Sequence, residues 1–346
     1  MIKQIVLLYE FYNPFFNFAV YYAVVCIAIN TKIQTFFFNH LGTDIAGICD
    51  SLKDKVQCRL VPVNTSGLGA DYSAGLRKIY LQLAELFVQP DAAKQSKRYN
   101  ILGASPLHYR AESDICEIAR LLREGFDYEL LHCFAMNTTT EALAELGSAE
   151  LNIVLTNEAV PCAEYLQSVT GTPFVYLPPY GYSQTTEFLK SVAAVINKPV
   201  KEAVLQRLEE KNRRLKMLLN SPLMSRTPGT VFLKGDYDTV KGLGAFFKEL
   251  RFNVAHSVCA HKISGTAAED IEYFKEEKEY LQLLKDIHHC LVLADEDTIA
   301  KADATNFKIC VSHPCFSHRT IANHLPFMGE WGADMLFEYI QQYVNM

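Results

Sequence analysis

The stretches Cys310-Val-Ser-His-Pro-Cys-Phe-Ser-His-Arg319 and Pro326-Phe-Met-Gly-Glu-Trp-Gly-Ala-Asp-Met-Leu-Phe-Glu-Tyr-Ile340 decide the fold. A short apolar strand runs into a loop rich in histidine and cysteine, and a glycine-punctuated turn then opens a closing amphipathic helix. Strand, loop and helix in that order are the repeating phrase of a parallel α/β protein. Working outward, the phrase recurs. Thr230–Leu233 reads as a strand, Gly235-Asp236 as its turn and Thr239–Leu250 as a helix, with further strands at Asn253–Val258, His289–Ala294 and Lys308–Val311. Upstream, Tyr99–Leu102, Tyr128–Cys133, Leu151–Leu155 and Phe174–Leu177 read as strands. Between them Asp114–Arg123, Thr138–Leu146, Ala163–Thr170 and Thr185–Ile196 carry helical spacing. A charged helix, Lys201–Leu219, joins these two blocks. A first block holds the strand Leu60–Val63, a loop with Gly67, Gly69 and Gly75, and the helix Leu76–Val88.

The expected architecture is therefore α/β, with three Rossmann-like domains built on parallel sheets. The division is 1–97 for a shortened first domain, 98–200 for the second and 201–225 for the bridging helix. Residues 226–325 then form the third domain and 326–346 the closing turn and helix, which packs back. A chain of 346 residues exceeds one core, so several domains are expected.

Composition excludes some functions. The net charge is −6 and no long basic run exists, which argues against nucleic acid as a partner. The ten cysteines are scattered rather than framed like those of a small secreted domain. They read as reduced thiols or metal ligands of a cytoplasmic protein. Phe11–Ile29 is long enough and apolar enough to span a bilayer, but Pro14 and two asparagines interrupt it. Its aromatic and β-branched residues suit buried strands, so a membrane span is not the expectation.

Several motifs fall in an order similar to that of the nitrogenase component 1 family. Leu41-Gly-Thr-Asp-Ile45 resembles its I-G-D-D-I helix start, and Val61-Pro-Val-Asn-Thr-Ser-Gly-Leu68 its V-P-V-x-T-x-G-F loop. Asn100-Ile-Leu-Gly103 resembles N-I-[IL]-G. Gly171-Thr-Pro-Phe174 and Tyr180-Gly-Tyr-Ser-Gln-Thr-Thr186 resemble G-I-P-[FY] and G-x-x-x-T. Leu233-Lys-Gly-Asp236, Ser312-His-Pro-Cys-Phe316 and Pro326–Ala333 complete the series over residues 41–346.

The resemblance implies an oxidoreductase subunit that works with a paralogous subunit and accepts electrons from an ATP-dependent iron protein. It also implies a 4Fe–4S cluster at a subunit interface, held by thiolates. The family's cluster cysteine falls here near Phe36, which is no ligand, and Cys26 is the only upstream thiol. In cofactor-bearing members a cysteine follows the strand matching Leu151–Leu155, where this chain has Thr156. The partner histidine of that site matches His313. Lacking the cysteine, the chain is not expected to reduce dinitrogen. The alternative within the same fold is a non-catalytic scaffold or metal-cofactor carrier, and reduction of a tetrapyrrole or sulfur substrate is a third reading.

Independently of the family, seven of the ten histidines follow residue 255. His256, Cys259 and His261 cluster after one strand; Cys310, His313, Cys315 and His318 cluster after another. Imidazole and thiolate suit zinc or iron, and ligands gather at the carboxyl ends of parallel strands. These seven residues are the candidate metal ligands; the polar rim of a sheet is the plainer reading. His288 and His289 precede their strand and belong at the opposite edge. The loops at Gly67 and at Gly235-Asp236 are candidate anion cradles of backbone N–H groups. No complete phosphate-binding glycine motif or nucleophile elbow is present, which argues against nucleotide binding. Glu158 lies just past a strand end and is a candidate acid or base, a solvated carboxylate being the plainer reading, and Cys162 reads as packing for a helix start. Glu276–Glu279 reads as an exposed helical face.

Overall fold

The computed structural model describes residues 45–55, 72–105, 108–134, 136, 138–220, 229–261, 270–274, 276–315 and 325–344. The expectations placed on Phe11–Ile29, Cys26, Phe36, Leu60–Val63, Gly67 and His318 lie outside them. Of the first block, the described elements are the helices α1 (Ile45–Leu52) and α2 (Tyr72–Phe87).

The second block is a four-stranded parallel sheet. Its strands are β1 (Arg98–Leu102), β2 (Glu129–Phe134), β3 (Leu151–Val154) and β4 (Phe174–Tyr176), in the order β2-β1-β3-β4. Its helices are α3 (Ala111–Phe126), α4 (Thr140–Ala144), α5 (Val160–Thr170) and α6 (Gly181–Ile196). Thr139 caps α4 by accepting from the Ala142 N–H at 3.2 Å, as its position before a helical pattern implies. The bridging helix is α7 (Glu202–Leu219).

The third block is a five-stranded parallel sheet of order β7-β6-β5-β8-β9. Its strands are β5 (Thr230–Gly235), β6 (Asn253–Cys259), β7 (Glu272–Tyr273), β8 (Leu291–Asp295) and β9 (Phe307–Ser312). Helices α8 (Tyr237–Glu249), α9 (Glu277–Lys285) and α10 (Glu296–Lys301) cover it, and α11 (Gly329–Val344) closes the described chain. The short β7 and α10 carry too few periodic residues to be read from the sequence.

Alternation along the strands shows how the sheets are used. Tyr99, Ile101, Leu151 and Ile153 of one sheet, with Val231, Leu233, Leu291 and Leu293 of the other, enter a single buried cluster. Their neighbours Leu102 and Val154 turn to a second cluster under α2 and α5, and Phe232, Val292 and Ala294 to a third under α9 and α10. Period-two alternation with both faces buried is what a parallel sheet covered by helices requires. Each Val, Leu, Ile or Phe among them contributes about 1.5–3 kcal/mol when fully removed from water. Because both sheets feed one core, the two blocks are fixed against each other.

That junction needs glycine. A Cβ on Gly242 of α8 would overlap the Tyr180 ring, so no larger residue lets α8 approach the start of α6. The N-I-L-G motif also has a physical cause. Asn100 donates from Nδ2 to the Leu146 carbonyl and to Asn152 Oδ1, each at 2.9 Å, tying β1 to β3. Gly103 turns at φ 84° with Thr156 packed where a Cβ would be.

The closing turn is held by carboxylates. Asp114 Oδ1 accepts from the Phe327 and Met328 N–H groups at 2.7 and 2.9 Å. Glu117 Oε1 accepts from those of Glu330 and Trp331 at 2.8 and 3.2 Å. Two acidic side chains of α3 thereby satisfy orphan donors at the start of α11 and complement its dipole.

Candidate functional site

The carboxyl edges of the two sheets face each other across a cleft of about 500 Å³, part of it open to solvent. Ala104 beyond β1 and Leu155 and Thr156 beyond β3 form one wall; Asp236, Asp238 and Thr239 beyond β5 and Val311 of β9 form the other. Asp114, Tyr109, Tyr180 and Phe327 also line it. In both sheets strand order reverses beside the first strand of the block, at β1/β3 and at β5/β8. Such reversals open a crevice where ligands bind in α/β proteins.

The cleft is acidic. Asp238 is buried; its Oδ1 accepts from the Tyr176 hydroxyl at 2.5 Å and its Oδ2 from the Asn157 N–H at 2.7 Å. Burial, reinforced by the neighbouring Glu158 carboxylate, pushes its carboxyl up to about 7 against the two hydrogen bonds. Asp114 is likewise raised to about 7, by burial that outweighs its backbone donors and the Arg110 charge. Burial first, then the charges of Asp114, Asp238 and Asp236, keep the Tyr180 phenol neutral.

Behind this wall, Glu158 Oε1 accepts from the Ser73 hydroxyl of α2 at 2.5 Å and lies 3.4 Å from His261 Nε2. His261 Nδ1 stands 3.9 Å from Asp236 Oδ1. Glu158 and His261 are both buried, so Glu158 is not the solvated carboxylate that its loop position suggests. The Gly235-Asp236 turn, read as an anion cradle, lies beside the acidic side chains of Asp236 and Asp238 that line the cleft.

The metal-ligand candidates separate. His256 is half-buried and pairs through Nδ1 with Glu272 Oε1 at 3.0 Å, while His261 engages Glu158 and Asp236. Cys259 is buried, and burial raises its thiol to about 12. Cys310 and Cys315 are buried next to each other, and desolvation followed by the Cys315 neighbour raises the Cys310 thiol. His313 stacks edge-on against Tyr109, ring centroids 6.4 Å apart. Among the described residues no three His, Cys, Asp or Glu side chains converge as a metal-binding group. With no such convergence, the described residues of this chain do not by themselves supply an iron–sulfur cluster's ligand set. Cys133 and Cys162 are also raised to about 12 by burial. The Thr156 hydroxyl is turned to the Gly103 carbonyl at 3.2 Å.

Sequence reasoning locates the carboxyl edges but overlooks Asp114 and Asp238. The available signal is position: Asp238 follows β5 by three residues, at the edge where ligands gather.

Two parallel α/β sheets sharing a core and opening a cleft at their carboxyl edges define a double-Rossmann architecture. The chain belongs to the nitrogenase component 1 type oxidoreductases, whose family profile matches residues 38–344. It is 27% identical over 328 residues to a subunit of the light-independent protochlorophyllide reductase of Rhodopseudomonas palustris (strain TIE-1), covering 85% of this chain and 58% of the relative. The same subunit of the Methylobacterium sp. (strain 4-46) reductase is 26% identical over 322 residues, covering 86% and 60%. The chain thus spans somewhat under two thirds of the length of these relatives. A solved structure described as nitrogenase Cp1 at pH 6.5 superposes with a TM-score of 0.70 at 20% identity, over 88% of this chain and 72% of that one. That likeness shows the fold. Among the described residues no helix is long and apolar enough to cross a membrane.

Proposed function

We propose that this chain is the substrate-site subunit of a nitrogenase-like reductase, working with a paralogous subunit and taking electrons from an ATP-dependent iron protein. The observation that carries this reading is the family match across both sheets, which frames the acidic cleft at their carboxyl edges. Relatives similar to it in sequence are subunits of light-independent protochlorophyllide reductases, so a conjugated tetrapyrrole is the substrate class we assign. Dinitrogen is not its substrate in this reading. Thr156 stands where the cofactor cysteine of the family would be, and its hydroxyl is committed to Gly103. Any iron–sulfur cluster is expected to draw ligands from the paralogous subunit or from outside the described residues.

The test is anaerobic co-purification with a paralogous subunit, followed by addition of the iron protein, ATP and protochlorophyllide in the dark. Loss of the protochlorophyllide absorbance that requires both ATP and the iron protein is the expected result. Iron and acid-labile sulfide per complex report the cluster. A complex that holds neither cluster nor ATP-dependent activity leaves the scaffold or carrier reading in its place.

A further inference from the structure

We propose that Arg110 is the anion anchor of the cleft: its guanidinium, resting on Tyr109 and Phe327, binds a carboxylate carried by the ligand held between the two sheets. This rests on the reductase reading above, which supplies the first ligand to test.

Charge on the cleft walls is one-sided. The lining includes Asp114, Asp236 and Asp238 and, among the described residues, no lysine or arginine. A ligand with an acid group is repelled by such walls unless a cation stands close by. Arg110 is that cation. It lies in the chain between Tyr109 and Ala111, both of which line the cleft. Its Cζ is 5.2 Å from the centre of the Tyr109 ring and 5.1 Å from that of Phe327, another lining residue. The two ring centres are 5.9 Å apart, so the guanidinium caps the pair where they meet.

The side chain is held ready. Nη1 donates to the Leu325 carbonyl at 2.9 Å and meets Met335 Sδ of α11 at 3.1 Å. Nε is buried and has no acceptor among the described residues. A buried N–H of a charged group without an acceptor is costly, and folded proteins rarely keep one unless something else completes it. A ligand carboxylate completes it with a charge-assisted bond. The buried acids of the cleft are engaged elsewhere. Asp114 Oδ1 accepts from the Phe327 and Met328 amides, and Asp238 accepts from Tyr176 and Asn157.

The backbone points the same way. Arg110 sits at φ 65° and ψ 24°, a left-handed conformation that a residue other than glycine enters at a cost, and its side chain makes no capping bond to α3. An arginine here is explained by what its side chain does. Lysine would not serve equally, because the planar guanidinium stacks on rings while keeping a directed N–H on its flank. The ligand class is therefore a flat, conjugated molecule with a free carboxylate. Its face lies against Tyr109 and Phe327 and its acid group at the start of α3.

Dark titration of the chain bound to its paralogous subunit tests this, with protochlorophyllide and its methyl ester as ligands and pigment absorbance as the readout. The acid is expected to bind roughly ten- to hundredfold more tightly than the ester. Arg110→Gln should abolish that preference, and Arg110→Lys should lower it several-fold. Loss of the contacts to Leu325 and Met335 weakens both ligands alike, and a steric penalty on the ester would persist in Arg110→Gln, so neither mimics the expected result. Equal binding of acid and ester by wild type, or a wild-type preference in either variant, overturns the assignment. A wild-type complex that binds neither pigment overturns the functional reading instead. Pyrenebutyrate and its methyl ester, read by pyrene fluorescence, then give the same comparison, and equal binding of the two, or binding of neither, overturns the anchor.

Discussion

Tyr176, at the end of β4, donates its hydroxyl across 2.5 Å to Asp238 in the first turn of α8, so one sheet places a hydrogen bond on the buried acid of the other. The bond also works backward on the phenol. Burial first, then the Asp238 charge and the bond to it, raise the Tyr176 phenol well above its ordinary value, so it stays a donor at neutral pH.

Tyr176→Phe removes that donor and leaves the Asn157 N–H still bonded to Asp238. The variant is expected to lose about 1–3 kcal/mol in denaturant unfolding, the range for a deleted bond to a buried charged group. It also moves the Asp238 titration upward, because the lost bond favoured the ionised form. An unchanged unfolding midpoint and an unchanged titration would together refute the pairing.

Glu330 gathers three cations. Arg120 and Arg207 reach its Oε2 at 3.0 Å each, and Lys211 reaches Oε1 at 2.9 Å. Burial alone would raise this carboxyl, but the hydrogen bonds from Lys211, Arg207 and Arg120 hold it at about 2. Glu330→Gln leaves the cations short of their counter-charge and should cost roughly 3 kcal/mol, at the lower end for a broken buried pair because Arg207 and Lys211 are partly exposed. The folded value lies below the unfolded one. This stability is therefore complete above about pH 4.5 and lost as pH falls toward 2. Acid unfolding of wild type and variant should converge at the low end of that window.

The parallel sheets are legible in the sequence because their strands are short apolar runs between helical patterns, and β1, β3, β5, β8 and β9 fall where those runs are. The family order of motifs is legible too, since Asn100 and Gly103 have local packing reasons to be what they are. The site is less so. His256, Cys259 and His261 sit close in sequence, yet the strand's alternation sends His256 to the sheet edge beside Glu272 and leaves His261 beyond the strand against Glu158. Glu158 gives no sign of burial because its partner there is Ser73 of α2, 85 residues away. Spacing reports one element at a time, and this site is assembled from many.

Gly242→Ala tests the close approach of α8 to Tyr180. Its new methyl would overlap a ring fixed in the shared core, so helix and ring must separate. A loss of about 1–3 kcal/mol is expected. Gly329→Ala carries two penalties, a φ of 76° and a Cβ that collides with the Glu117 side chain, and should additionally loosen α11. Hydrogen exchange at the Glu330 and Trp331 amides, both held by Glu117, should rise in Gly329→Ala and stay near wild type in Gly242→Ala. Equal exchange in both variants would show that the two contacts are not separate.

Asp114 and Asp238 make stability fall as pH rises through neutrality. Each holds its proton to about 7 in the folded chain and releases it near 4 when unfolded. Between those values the folded state binds more protons, so unfolding free energy declines with pH and levels off above about 7. Each group contributes on the order of a few kcal/mol to that decline. Asp238→Asn removes one titration and keeps the side chain's size, so its stability profile from about pH 4 to 8 should be flatter than wild type. Asp114→Asn should flatten the profile similarly, at the cost of weaker acceptance from the Phe327 and Met328 amides. Urea unfolding at several pH values across this range measures both slopes. A wild-type profile that rises between about pH 5 and 7 would mean that these carboxyls are ionised in the folded cleft, and that the Tyr176 and Asn157 donors outweigh burial.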